Sequence, residues 1–351
     1  MGRFAIAVPA ALALLAASPA QAKRTPPVIG YVAAFKGLDR IVDEADFSLY
    51  THVDLAFVNP DRAGNISVDG ALACAPDGKS GANVSPRSLR RLVDAAHRAG
   101  AKVLVSVGGG VIPSCSGDWA QLLEPQTRGR IVAGLLALID EYRFDGLDMD
   151  LEGDLMTRID KAGNYTPFVA ALSAALRARG KLLTCATASY EGGMVPDSSL
   201  PYFDLVGIMS YDAIGPTWGE PGSEHSTYAQ AERDLRLWIA KGVPLDKLAL
   251  GVPFYGYGFG RYPRNYAFED IAAQFGRAAR RGDVVGRLCA GCDYITYNGL
   301  DTLSRKAELA GAWGAGVMVW EIDQDRPDHR AIRLLRKALQ KGAARARRFA
   351  R

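Results

Sequence analysis

Two rhythms of apolar residues run along this chain. Short apolar runs are separated by longer stretches in which apolar positions recur every three or four residues. The short runs predict eight strands: VIGYVAAF (28–35), THVDLAFV (51–58), KVLVSVGG (102–109), FDGLDMDLE (144–152), LLTCATAS (182–189), FDLVGIMSYD (203–212), LALGVPFYG (248–256) and GVMVWEID (316–323). The longer stretches predict helices over 85–100, 127–142, 166–180, 226–242, 302–314 and 326–342, the first opened by Ser85 and closed at Gly100. Only PDSSLPY precedes the sixth strand, so one helix is reduced or absent there. Strands alternating with helices pair in parallel through crossovers, and a (β/α)8 TIM barrel is the simplest closed solution. A doubly wound open sheet would carry a Gly-rich phosphate turn after its first strand, and AAFKGLDR supplies none. The longest irregular stretch, roughly 257–301, offers one possible helix, YAFEDIAAQFGRAARRG, and no convincing series of strands. The expectation is a single barrel with at most a reduced insertion between strands seven and eight.

The fourth strand is peculiar. In FDGLDMDLEGD (144–154), Asp148, Asp150 and Glu152 alternate with Leu147, Met149 and Leu151. Side chains on a strand alternate between faces, so the three acids share one face and the three apolar residues the other. In a barrel the apolar face packs under the helices and the acids point inward, with Glu152 at the carboxyl end, where barrel active sites lie. Crowded carboxylates cannot all ionise, so at least one proton is retained, which suits a general acid. A calcium loop would need a turning backbone and polar residues between its acids, and Leu and Met stand there instead.

Charge and cysteines refine the picture. The formal net charge is +4, yet seven basic residues and no acid lie from Arg336 onward, which leaves about −3 for the rest. No basic face for nucleic acid is expected, and the basic tail reads as a helix end followed by a frayed terminus. Arg3, an apolar run from Phe4 to Ala17 and Ala20-Gln21-Ala22 read as a secretory signal peptide over residues 1–22, leaving 23–351 as one exported domain. No later segment is apolar enough to span a bilayer. Export allows disulfides: Cys289 with Cys292, and Cys74 with Cys115, while Cys185 reads as a buried free thiol. Zinc at the Cys289–Cys292 pair would need two more soft ligands, and none of the four histidines is near, so neither metal nor cofactor is expected.

DGLDMDLE resembles the DxxDxDxE motif of glycoside hydrolase family 18, the chitinases and related endo-N-acetylglucosaminidases. Ser106–Gly109 (SVGG) is similar to that family's SxGG, Met209–Asp212 (MSYD) to its MxYD, and Trp320 to the Trp flooring its pocket; Tyr31 and Phe57 are similar to its pocket aromatics. The likeness runs from about residue 28 to 340. It implies a cofactor-free, substrate-assisted, retaining hydrolysis of β-1,4-linked N-acetylglucosamine polymers or oligomers by a secreted, monomeric enzyme. It implies Glu152 as general acid and base, Asp150 and Tyr211 holding the substrate's acetamido group, and Asp148, supported by Ser106, sharing a proton with Asp150. It implies a sugar pocket shaped by Tyr31, Phe57, Gly109, Met209, Asp212, Tyr255 and Trp320. Departures from the pattern are the short 257–301 stretch, Tyr257 where an Arg is frequent, and Gly153-Asp154 where an aromatic is frequent; they suggest an open groove. Glycans of glycoproteins or peptidoglycan, and a non-catalytic sugar-binding role, are the alternatives.

Overall fold

The computed structural model describes residues 25–76, 84–325 and 327–349; the expected signal peptide lies outside them. Eight parallel strands close into a barrel: β1 (Val28–Ala33), β2 (His52–Val58), β3 (Lys102–Gly109), β4 (Gly146–Leu151), β5 (Leu182–Thr187), β6 (Leu205–Ile208), β7 (Leu248–Pro253) and β8 (Gly316–Trp320). Each pairs with its neighbours in chain order, and β8 pairs with β1. This is the (β/α)8 barrel that the alternation of strands and helices predicts. All six predicted helices form, five with small changes at their ends, for example Pro86–Arg98 and Arg128–Tyr142. Between β5 and β6 there is only a 3-10 turn, Asp197–Tyr202, as PDSSLPY suggests.

Packing divides the apolar residues into two shells. Leu147, Met149 and Leu151 join the large cluster between the barrel and its helices, with Val105, Val107 and Leu183. Ile29, Tyr31, Ala56, Ala249 and Met318 form a smaller cluster inside the barrel, against which Phe57, Met209, Tyr211 and Trp320 pack. The alternation in β4 therefore gives Leu147, Met149 and Leu151 to the outer shell and leaves Asp148 and Asp150 buried on the other face.

Four features depart from the sequence reading. The helices Leu38–Glu44 and Gly153–Lys161 were not expected; the second starts immediately after Glu152. The sixth strand ends at Ile208, so Met209–Asp212 lies beyond it. The seventh ends at Pro253, and a separate antiparallel sheet begins at Tyr255: Tyr255–Phe259, Asn265–Ala267, Val284–Gly286 and Tyr294–Thr296, with the helix Phe268–Ala279. The insertion is thus short but does contain a strand series. Strands of three residues leave too little alternation to read. Finally, the basic tail is helical to Phe349, where a frayed end was expected. It stays ordered because Lys341 and Arg345 pair with Glu308, and because Gly311 and Gly342 let the two helices approach closely.

Candidate active site

The carboxyl ends of the strands surround a cleft of about 850 Å³. Its lining includes Tyr31, Phe57, Asp150, Glu152, Met209, Tyr211, Asp212, Tyr255 and Trp320, nine of the residues singled out from sequence. Asp148, Ser106 and Gly109 stand behind that surface. Asp148 is buried and accepts hydrogen bonds from the Tyr31 hydroxyl (2.7 Å), Ser106 Oγ (2.7 Å) and Thr184 Oγ1 (2.6 Å). Three donors on three strands hold it in one position. Burial raises its pKa, and the three donors oppose the rise.

Asp150 is also buried, and its Oδ1 has no hydrogen-bond partner among the described residues. Its pKa lies well above the carboxylate range, chiefly through burial, then through the charges of Glu152, Asp148 and Asp54. Glu152 titrates at about 7, raised by burial and by the charge of Asp212. A carboxyl group so tuned holds a proton near neutral pH and can release it. Asp212 in turn accepts from the Tyr255 hydroxyl at 2.5 Å.

Glycine and aromatic residues shape the walls. Gly109 has φ +96°, and a Cβ there would come within 2.7 Å of the Phe57 ring. Phe57 stacks on Trp320 with centroids 5.5 Å apart, and Tyr31 tilts against the same indole at 5.4 Å. These rings present an apolar face suited to a pyranose ring.

Sequence reasoning missed several neighbours. Asp54, buried on β2, is strongly perturbed by burial and by Asp148; it was one acid in an apolar run, and only its period-two relation to Ala56 marks it as inward. Thr184 gives no signal beyond facing Asp148 in register. Trp218 lines the cleft from a loop, and Lys36 and Gln324 from short 3-10 turns, where patterning is silent. Lys36 pairs with buried Glu321 at 2.6 Å. Cys74 and Cys115 form a disulfide, as do Cys289 and Cys292, and Cys185 is buried and free. One acidic group among the described residues, Glu269, Asp325 and Asp328, is close enough to share a cation, but it lies away from the cleft lining, and both Asp325 oxygens already accept backbone N–H groups from Ala331 and Ile332.

A barrel with a carboxylate ladder at its mouth defines a class, and comparison with known proteins fixes it. Residues 27–325 match the model of the glycosyl hydrolases family 18, and the chain belongs to that family. Among relatives, it is 28% identical over 280 residues to "Probable chitinase 10" of Drosophila melanogaster, covering 64% of this chain but 12% of that protein. It is 24% identical to a class V chitinase of Arabidopsis thaliana, covering 81% and 83% of the two chains. It spans 55% of a chitinase-like effector of Moniliophthora roreri, at 26% identity. Among solved structures, the family 18 chitinase ChiB of Flavobacterium johnsoniae is 29% identical, with a TM-score of 0.74 over 90% of this chain and 94% of that one. A class V chitinase from Nicotiana tobaccum, solved in complex with NAG4, shares the fold at 21% identity and a TM-score of 0.70, over 90% of this chain and 99% of that one.

Proposed function

We propose that this chain is a secreted, chitinase-like hydrolase of β-1,4-linked N-acetylglucosamine polymers or oligomers, acting by substrate-assisted retention. The observation that carries this reading is the ladder Asp148–Asp150–Glu152 at the open cleft, where burial and the charge of Asp212 push the Glu152 carboxyl up to about 7. Glu152 gives its proton to the glycosidic oxygen as the bond to the anomeric carbon breaks. The acetamido oxygen of the same sugar forms the new bond to that carbon, giving an oxazolinium ion, so no enzyme nucleophile is needed. Asp150, whose Oδ1 is unpartnered, accepts the acetamido N–H and offsets the growing positive charge. The Tyr211 hydroxyl donates to the acetamido oxygen and orients it. The Glu152 carboxylate then takes a proton from water, whose oxygen attacks the anomeric carbon from the side the leaving group vacated and opens the ring. Asp148, held by Tyr31, Ser106 and Thr184, fixes Asp150 and exchanges a proton with it.

Phe57, Trp320 and Tyr31 support the sugar in this reading, and the small insertion leaves the groove open. The relatives named as chitinases and the neighbour solved with NAG4 support an N-acetylglucosamine oligomer as substrate. No helix among the described residues is long and apolar enough to cross a membrane. The test is hydrolysis of a soluble N-acetyl chito-oligosaccharide series, with the first product's anomer read by NMR. The expected result is β-anomer from the wild type and at least about a hundredfold loss with Glu152→Gln, the scale of a general acid's contribution. A folded wild type that cleaves none of the series would refute the chitinase reading and direct the assay to glycoprotein glycans or peptidoglycan.

A further inference from the structure

Behind Asp212 lies a group that neither the ladder nor the sugar pocket uses. His225 is fully buried, and neither ring nitrogen has a hydrogen-bond partner among the described residues. Leaving a buried polar ring in that state is costly, so its retention calls for a reason. Its main chain is fixed on both sides: the N–H donates to Thr296 Oγ1 at 3.1 Å, and the carbonyl accepts from the Ala213 N–H at 3.0 Å. The ring is thereby held beneath the residue that follows Asp212, and Nδ1 faces Asp212 Oδ1 across 3.6 Å. A closure of about 0.6 Å would make an ordinary N–H···O hydrogen bond.

Asp212 has φ +61°, an uncommon backbone state for a residue with a side chain, and it turns the carboxylate into this corner. Tyr255 donates to it, and Tyr257 stands beside it with a phenol pushed upward by burial and then by the charge of Asp212. The imidazole packs against both tyrosine rings at 5.3 Å. Lys36 is the sole cation among the described residues lining the cleft, and it is engaged by Glu321.

We propose that His225 is a positioning residue which, with Tyr255 and Tyr257, forms a cage of uncharged donors around Asp212 and so sets how tightly Glu152 holds its proton. A cation in the cage would neutralise Asp212 as felt by Glu152. Neutral N–H and O–H dipoles hold the Asp212 carboxylate in place and leave its field to act on Glu152. The ring stays neutral because burial lowers its pKa; the nearby carboxylates of Asp212 and Asp283 oppose the fall, while Lys306 adds to it. Lys306 is itself buried, lowered to about 7 by burial against the raising charges of Asp283, Asp234 and Glu224. The titratable groups facing Glu152 itself are Asp212, Asp150, Tyr211 and Tyr190. This inference rests on the reading of Glu152 as the acid, but its test does not need the sugar chemistry.

The test is a carboxyl titration of the free protein by infrared difference spectroscopy, with Glu152→Gln identifying the Glu152 band and thermal melting confirming the fold. His225→Leu removes a donor and loosens the hold on the Asp212 carboxylate beside Glu152, so the Glu152 midpoint falls by about one pH unit. His225→Gln keeps an N–H and restores most of the wild-type midpoint. Tyr257→Phe removes another donor and shifts it in the same direction, which keeps the test open if the leucine variant does not fold. A folded His225→Leu or Tyr257→Phe protein with the wild-type midpoint, or a glutamine variant shifted as far as the leucine one, would overturn the cage; a ring that merely filled space gives that result. A wild type that cleaves no chito-oligosaccharide, yet shows these shifts, would sink the proposed substrate and leave the cage standing.

Discussion

Glu152 links chemistry to stability. Its ordinary value is 4.5 and the folded value is about 7. Below about pH 4.5 both folded and unfolded chains hold this proton. As pH rises toward 7, the unfolded chain loses it first, so the folded state is progressively penalised; above 7 the penalty is complete, at most about 3 kcal/mol. Glu152→Gln removes this penalty. The variant should therefore be more stable than wild type at pH 8 and equal to it near pH 4, as read by denaturant melts at the two pH values. Equal stability at both would show that the site does not strain the fold in this way. At this scale the sequence was readable where residues repeat with a period and unreadable where contacts are distant. The Asp148–Asp150–Glu152 ladder shows in eleven letters. His225 does not, because its meaning comes from Asp212, Tyr255 and Tyr257 meeting it across a loop and a second sheet.

The element that carries the site is β4, and its two faces separate stability from chemistry. Leu147 is fully buried under the helices, opposite in direction to Asp148. Leu147→Ala should cost about 2–5 kcal/mol through lost burial and the cavity left behind. The pH profile of hydrolysis should keep its wild-type midpoint, since the acid face is untouched. A shifted profile in a folded variant would mean that the two faces are coupled through the strand. Short apolar runs made all eight strands legible, and in β4 alternation also marked the two faces. Strand ends were less so: β6 and β7 stop earlier than their apolar runs, because Met209 and Tyr255 are apolar enough to extend the pattern yet belong to the cleft and to the inserted sheet. Asp54 was passed over for a related reason, as a single acid does not break the apolar character of THVDLAFV.

At the scale of the molecule, the barrel is set by local rhythm, while the cleft is completed by contacts between loops. The Cys74–Cys115 disulfide bridges a sequence separation of 41 and joins the segment after β2 to the segment after β3. Pro76 lies beside one cysteine, and Val111 and Pro113 lie beside the other; all three line the cleft. A double Cys74→Ser, Cys115→Ser variant should lose about 4 kcal/mol by the chain-entropy estimate, and its KM for the longer oligosaccharides should rise more than for the shorter ones. Denaturant melts and the oligosaccharide series together check this; unchanged KM across the series would confine the bridge to a stabilising role. If the wall depends on that bond, the nascent chain does not yet possess its finished cleft. In that case the groove is completed by an oxidation, and a chain matured among reducing thiols would carry the whole acidic ladder and still lack part of its wall.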